Sequence, residues 1–213
     1  MSKSSTKQRI LDTTLVLFNT LGTPTVSTNH IALELDISPG NLYYHYKNKD
    51  QLIEQLFAQY EQALSPLLKQ TFAEQQSIED IWFFLHVSFE LALQYRFIYQ
   101  DTDHIISKCP SLGPKFRRVL QKLNDALLDL LRRLSLCGVL VASSETLLKD
   151  LSLTMLLICT QWISFKQHFS ATPETGLSGD DLSQGVSQVL SLLLPYLDPA
   201  HQAHLNSLRE EYR

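Results

Sequence analysis

The 213-residue chain has few of the residues that mark disulfide scaffolds, β-hairpins and membrane spans. Its three cysteines, Cys109, Cys137 and Cys159, form no CxxC pair, and we expect them to be small buried apolar residues. Glycine and proline number only seven and eight, and no segment alternates apolar and polar residues as a half-buried strand does. No apolar run reaches the roughly 18 residues of a membrane span, so we expect a cytoplasmic protein without membrane association.

Acidic residues are missing from one stretch of an otherwise acidic chain. The net charge is −4, yet residues 1–50 carry five Lys/Arg and four Asp/Glu, which leaves them at +1 and the remainder at −5. Between residues 41 and 49 there is no acid at all. This is a weak basic footprint for a nucleic acid, so binding would depend on dimerisation and polar contacts as well as on charge.

Apolar residues recur along most of the chain at spacings of three and four, which predicts an all-α fold of about nine to ten helices. We expect residues 1–50 to form a DNA-binding domain and residues 51–213 a second helical domain, with the boundary inside a long helix that contains Pro66. The predicted helices outside residues 27–49 span residues 6–21, about 50–72, 77–99, 114–137, 145–169 and 181–197, and a short tail helix follows.

The segment 27–49 reads as two short helices joined by a tight turn. Ser27 or Thr28 can cap the first helix, and Asp36 lies where the chain must turn. Ser38 is a second N-cap, with Pro39 at the first helical position, where a missing N–H costs nothing. The outer side of the second helix offers Asn41, Tyr44, His45, Lys47 and Lys49, and a helix–turn–helix places such a helix in the DNA major groove.

These residues resemble the DNA-binding domain of the TetR family of bacterial transcriptional regulators. The family pattern runs T-x-x-I-A-x-x-x-G-V-S-x-G-x-L-Y-x-H-F-x-x-K-x-x-L, and the chain departs from it at Asp36 and, conservatively, at two further positions. The positions that carry the resemblance are Thr28, Ile31, Ala32, Ile37, Ser38, Gly40, Leu42, Tyr43, His45, Tyr46, Lys49 and Leu52.

The resemblance implies a homodimeric repressor that binds a palindromic operator in double-stranded DNA. It assigns Tyr43, His45 and Lys49 to phosphate contacts and Asn41, Tyr44 and Pro39 to base edges. The full set of implied DNA contacts is Thr28, Asn29, Pro39, Gly40, Asn41, Tyr43, Tyr44, His45 and Lys49.

In the TetR family, two C-terminal helices pair with their symmetry mates in a four-helix bundle. The corresponding helices of this chain are those predicted at 145–169 and 181–197. Both are rich in leucine, which favours an apolar interface. The expected interface residues are Leu156, Val186, Val189, Leu190, Leu193 and Leu194.

The C-terminal domain of such regulators binds an effector, and the polar residues scattered among aromatic ones predict the position of the binding site. We expect a small, mainly apolar organic molecule that releases the protein from DNA. The alternative is that His86, Glu90 and Gln94, spaced by four residues, simply face solvent. The candidate effector residues are Trp82, His86, Phe89, Glu90, Tyr95, Phe116, Gln161, Trp162 and Phe165.

Two other classes of function remain as alternatives at this point. An enzyme would need a nucleophile, base and orienting group or a metal-ligand set, and His86, Glu90, His168 and the cysteines form no recognisable one. We therefore expect no catalysis, no metal and no cofactor. A helical DNA-binding protein that acts as an architectural or partner-interaction factor, without an effector, is the second alternative. The sequence leaves open the operator, the effector and the sign of regulation.

Overall fold

A computed structural model describes residues 5–69, 77–141, 144–169 and 179–210. This part of the chain forms eleven α-helices and no strand, apart from one isolated bridge between Leu140 and Leu197, which confirms the all-α prediction. The helices are α1 Thr6–Leu21, α2 Thr28–Glu34, α3 Pro39–His45, α4 Lys49–Leu68, α5 Ile78–Gln94, α6 Phe97–Gln100, α7 Thr102–Lys108, α8 Leu112–Leu136, α9 Glu145–Phe169, α10 Gly179–Ser191 and α11 Pro199–Glu210.

The predicted capping residues of the two short helices are observed. The Ser27 hydroxyl accepts the His30 N–H at 3.1 Å, and the Ser38 hydroxyl accepts the Asn41 N–H at 3.2 Å. Between the helices, Asp36 has a φ of 52°, and the following N–H of Ile37 donates to the Ala32 carbonyl at 3.0 Å. This pattern closes α2 with a left-handed residue, as helices commonly end, although glycine is the usual residue there.

Three predicted helix ends differ from the structure. The helix predicted to reach Tyr99 ends at Gln94, because the Phe97 N–H donates to the Asn19 side chain at 3.1 Å instead of continuing the helical ladder. The helix predicted at 181–197 ends at Ser191, and Pro195 lies in a separate 3₁₀ turn. Helix α4 ends at Leu68, and residues 70–76 lie outside the described residues, as does the predicted cap Ser143.

The chain divides into two compact units. The N-terminal unit comprises Met1–Ala63 and Tyr95–Arg117, and the C-terminal unit comprises Leu64–Gln94 and Arg118–Arg213. The division along α4 falls between Ala63 and Leu64, so α4 belongs to both units. The functional division at residue 50 remains a prediction.

In the N-terminal unit, α1 packs on α2 and α2 packs on α3 around a small apolar core. Ile10, Phe18, Ile31 and Leu42 are completely buried, and the buried Tyr46 donates its hydroxyl to the Lys7 carbonyl at 3.2 Å. The core therefore anchors α3 at both its middle and its C-terminal end.

In the C-terminal unit, α5, α9 and α10 pack closely against one another. Gly185 of α10 permits this approach, since a Cβ atom there would lie 2.6 Å from the Phe89 ring and 2.8 Å from the Trp162 ring. The Trp162 indole N–H donates to the Asp181 carbonyl at 2.7 Å and ties α9 to α10. Among the described residues, no helix is both long and apolar enough to cross a membrane.

The positive φ at Asp36 leads to a stability prediction. Asp36→Gly is expected to raise the free energy of unfolding by about 0.5–1 kcal/mol, because glycine adopts this conformation without the Cβ clash. Asp36→Ala, the matched control, is expected to lower it by about 1 kcal/mol, because alanine keeps the clash and lacks a polar side chain. Urea denaturation measures both. A glycine variant less stable than the wild type would show that the Asp36 side chain outweighs the strain.

Candidate nucleic-acid interface

Helix α3 presents its polar side chains to solvent while its apolar ones are buried. Leu42 is completely buried, whereas Asn41 is exposed and Tyr44 is 86% exposed. Pro39 and Gly40 at the start of the helix are exposed as well. The residues predicted to meet base edges therefore lie together on the outer side of α3 and its first turn.

Helices α2 and α3 are joined at the surface by a hydrogen bond between two hydroxyls. The oxygens of Thr28, the first residue of α2, and Tyr43 of α3 lie 2.9 Å apart. Tyr43 is exposed and Thr28 is half-buried, with the exposed Asn29 beside it. One proton lies between the two oxygens, and the hydroxyl that accepts it keeps its own proton free to donate to a phosphate oxygen.

The two remaining residues of the predicted set lie differently. His45 is half-buried at the end of α3, and the Tyr44 ring meets its edge at a centroid distance of 5.1 Å. The Lys49 ammonium donates to the Thr23 carbonyl and lies 5.9 Å from the centre of the Phe18 ring. Burial lowers the pKa of Lys49, and the carboxylates of Asp50 and Asp101 oppose this shift.

The position of the Lys49 ammonium indicates a second role for that residue. It is bonded within the N-terminal unit. We therefore propose a structural role for Lys49, and its contact with phosphate stays a prediction. Its neighbour Lys47, absent from the predicted contact set, is exposed directly after α3. Lys47 was already predicted on the outer side of this helix, and its place within the acid-free stretch 41–49 is the sequence signal that identifies it.

Comparison with known proteins accords with this geometry. Residues 10–56 match the family model described as bacterial regulatory proteins, tetR family. Residues 59–205 match a second model of the family, described as bacterial transcriptional repressor. The chain belongs to the TetR family. Proteins of this family regulate transcription by binding DNA through the helix–turn–helix formed here by α2 and α3.

Individual relatives extend this comparison. A TetR-family regulator from Marinobacter aquaeolei VT8 has a structure with a TM-score of 0.88 at 33% identity, over 99% of this chain and all of that one. Probable HTH-type transcriptional regulator YttP of Bacillus subtilis (strain 168) is 30% identical over 109 residues, 46% of this chain and 51% of YttP. The chain thus matches about half the length of this curated relative. SmeT, solved with triclosan, has a TM-score of 0.61 at 16% identity over 93% of this chain and 94% of that one, a likeness of fold alone.

The nine predicted effector residues are divided between the two units. Tyr95 and Phe116 belong to the N-terminal unit, where Tyr95 packs on Tyr60 and Phe116 on Phe57. The other seven belong to the C-terminal unit: Phe89 is buried beneath Gly185, Trp162 is half-buried, and Glu90, Gln161 and Phe165 are exposed. Glu90 and Gln94 face solvent, as the alternative interpretation of this row stated.

Two of the predicted residues, Trp82 and His86, do line a cleft between α5, α10 and α11. Their rings are stacked with centroids 5.1 Å apart, and the His86 Nε2 lies 3.3 Å from the Glu90 carboxylate. The cleft has a volume of about 10 Å³, with Leu208 and Arg209 of α11 on one side. This is room for roughly one water molecule.

The predicted dimer residues also need correction. Leu156, Val186, Val189, Leu190 and Leu193 are buried within the single chain, and Leu194 is half-buried. A side chain that fills its own core has no surface left for a second copy. The expectation that all three cysteines are buried is likewise wrong for Cys137, which is exposed, whereas burial raises the pKa of Cys109 to about 11 and of Cys159 to about 12.

Two lysines two residues apart are expected to behave differently on substitution. Lys47→Ala should leave the thermal midpoint unchanged and reduce the dependence of DNA affinity on salt by roughly one phosphate contact. Lys49→Ala should lower the free energy of unfolding by about 1–2 kcal/mol, because the buried Thr23 carbonyl loses its partner. Thermal denaturation and DNA titrations at several salt concentrations measure both. Equal stability of the two variants would contradict the structural role of Lys49.

Proposed function

We propose that this TetR-family protein is a repressor that binds a palindromic operator as a homodimer and is released by a small, mainly apolar effector. Operator binding is supported by the outer surface of α3, where polar side chains are exposed, while Leu42 on the inner side of the helix is completely buried. A helix of this kind fits the major groove, where each base pair displays a distinct set of donors and acceptors.

The proposed contacts follow from chemistry and exposure. Asn41 can pair with both the acceptor and the donor of adenine, and Tyr44 reaches furthest from the helix. Gly40 is exposed and has no side chain, so the backbone of α3 can approach the DNA closely. The Thr28 and Tyr43 hydroxyls are the proposed phosphate clamp.

Selection of duplexes from a random DNA pool tests this function. The wild-type protein is expected to enrich a palindrome with two half-sites. Asn41→Ala should relax the preference at one position of each half-site, with a loss of about 1–3 kcal/mol for the preferred base. Asn206→Ala, which removes an exposed asparagine from α11, is the matched control and should select the wild-type sequence. Failure of the wild-type protein to enrich any duplex would reject the proposed function.

The dimer is proposed to form through α9 rather than through the buried residues of α10. Leu153, Leu157, Phe165 and Phe169 are between 51% and 73% exposed. They are separated by multiples of four residues, so they form an apolar ridge that winds about 160° around the helix and passes through the exposed Gln161. Exposed apolar side chains in such a group mark protein interfaces, and the part of the ridge around Leu153 and Leu157 is the proposed contact with a second copy.

Glutamate substitutions distinguish this interface from the core. Leu157→Glu is expected to give folded monomers that bind the operator at least about tenfold more weakly, because paired half-sites require two copies. Leu136→Glu makes the same change at an 87% exposed leucine at the end of α8 and should remain dimeric. Leu190→Glu should unfold the C-terminal unit, because it buries a charge. Sedimentation velocity and circular dichroism measure these outcomes, and a Leu157→Glu dimer would place the interface elsewhere.

The proposed effector site is the cleft beside Trp82 and His86, where entry needs a change in the C-terminal unit. The cleft beside Trp82 and His86 holds roughly one water, so an organic molecule enters only if α11 or α10 moves. Helix α11 is tied there by two polar contacts, Arg209 Nε to the Ser187 hydroxyl at 3.0 Å and His204 Nε2 to the Glu79 carboxylate at 2.5 Å. An effector that displaces α11 must replace these contacts, which favours an amphipathic molecule with at least one polar group.

A further inference from the structure

Asp101 uses its carboxylate in an unusual way. It stands at the N-cap of α7, where an aspartate ordinarily accepts hydrogen bonds from the first N–H groups of its own helix. Within the described residues, the Asp101 side chain makes no such capping bond. One of its oxygens instead accepts the Thr23 N–H at 2.5 Å and the Thr23 hydroxyl at 2.8 Å. Asp101 thus joins α7 to a residue 78 positions earlier in the chain.

Thr23 is a completely buried polar residue in the connection between α1 and α2. Asp101 satisfies its N–H and its hydroxyl, and the Lys49 ammonium satisfies its carbonyl. The three polar groups of Thr23 therefore depend on two charged residues outside the connection. Buried polar groups are costly to leave unpaired, so this arrangement holds the α1–α2 connection in one conformation.

Neighbouring contacts fix the end of α1 in the same way. The Arg96 Nε donates to the Asn19 carbonyl at 3.0 Å, and the Phe97 N–H donates to the Asn19 side chain at 3.1 Å. The Phe18 and Phe97 rings pack at a centroid distance of 5.4 Å. The chain from residue 96 to residue 101 thus supports α1 up to the point where α2 begins.

We infer that Asp101 is a positioning residue for DNA binding. It holds the α1–α2 connection through Thr23 and thereby sets the start of α2, where Thr28 bonds to Tyr43 of α3. Its hydrogen bonds go to protein groups, so it acts without touching DNA. This inference rests on the operator binding proposed above.

The same carboxylate has a second use available. If the bonds to Thr23 break, Asp101 can cap the free N–H groups at the start of α7, because it already occupies the capping position. The free energy lost with the bonds to Thr23 would then be partly offset by the capping bonds at the start of α7. The arrangement that the structure shows, with Asp101 joined to Thr23, is the one that holds α2 in place.

A purely electrostatic role and a positioning role of Asp101 predict opposite changes in DNA affinity when its charge is removed. Removing an acid from a DNA-binding unit strengthens the attraction to phosphates and so tightens binding. If Asp101 positions α2, its removal weakens binding even though the net charge becomes more favourable. The sign of the change in affinity therefore separates the two roles.

The test compares Asp101→Asn with Asp103→Asn. Both remove one negative charge from α7 or its cap, but Asp103 is exposed. With the duplex selected by the wild-type protein, Asp101→Asn is expected to weaken binding roughly tenfold, with the salt dependence unchanged, and Asp103→Asn to leave it unchanged or tighter. Amide exchange at Thr23 should accelerate in Asp101→Asn and not in Asp103→Asn.

A second pair of variants keeps the test decisive if Asp101→Asn does not fold. Thr23→Val preserves the shape and the N–H but removes the hydroxyl, whereas Thr23→Ser keeps both donors. Thr23→Val is expected to weaken binding about threefold relative to Thr23→Ser. It should add less than that in the Asp101→Asn background, because both changes act on the same hydrogen bond, which Thr23→Val removes and Asp101→Asn weakens by replacing the carboxylate with a neutral amide oxygen.

The outcomes that overturn the inference are specific. A folded Asp101→Asn protein that binds the selected duplex as tightly as Asp103→Asn would exclude a positioning role. If Asp101→Asn unfolds, equal affinity of the folded Thr23→Val and Thr23→Ser proteins would exclude it instead. Failure of the wild-type protein itself to bind any selected duplex is a different result, which rejects operator binding and this inference with it.

Discussion

The anchoring of α3 is the constraint on which the rest of the N-terminal unit depends. A helix of seven residues is too short to persist in water by its own hydrogen bonds. Its position comes from Leu42, which is completely buried, and from Tyr46, whose hydroxyl bonds back to the first turn of α1. Because the inner side is held this firmly, the outer side can carry exposed polar residues for DNA.

The compact unit that holds α3 includes residues beyond the first 63. Helices α6 and α7 come later in the chain than α5, yet they belong to the same compact unit as the helix–turn–helix. Within that unit the buried hydroxyls of Tyr60 and Tyr99 bond to each other, and burial raises the pKa of Tyr60 well above its ordinary value. The Tyr60 hydroxyl therefore remains protonated, and its bond to the Tyr99 hydroxyl joins α4 to α6.

The C-terminal unit separates core from surface along two neighbouring helices. Helix α10 buries Val186, Val189 and Leu190 against α5 and α9, and this close approach is possible because position 185 has no side chain. Helix α9 contributes to the same core with Met155 and Ile163 and still exposes an apolar ridge. The two helices thus differ, because α10 is packed inside the C-terminal unit whereas α9 also exposes apolar side chains.

The sequence by itself determined the helix–turn–helix, the all-α class and the family, because capping residues, apolar spacing and turn residues act over only a few positions. Ser27, Asp36 and Ser38 show this local control. Only the tertiary structure decided which leucines are buried, where α5 ends and what Lys49 contacts. Each of these depends on a partner far along the chain, as Phe97 depends on Asn19 and Thr23 on Asp101. Periodicity marks a face as apolar, but packing alone determines what covers it.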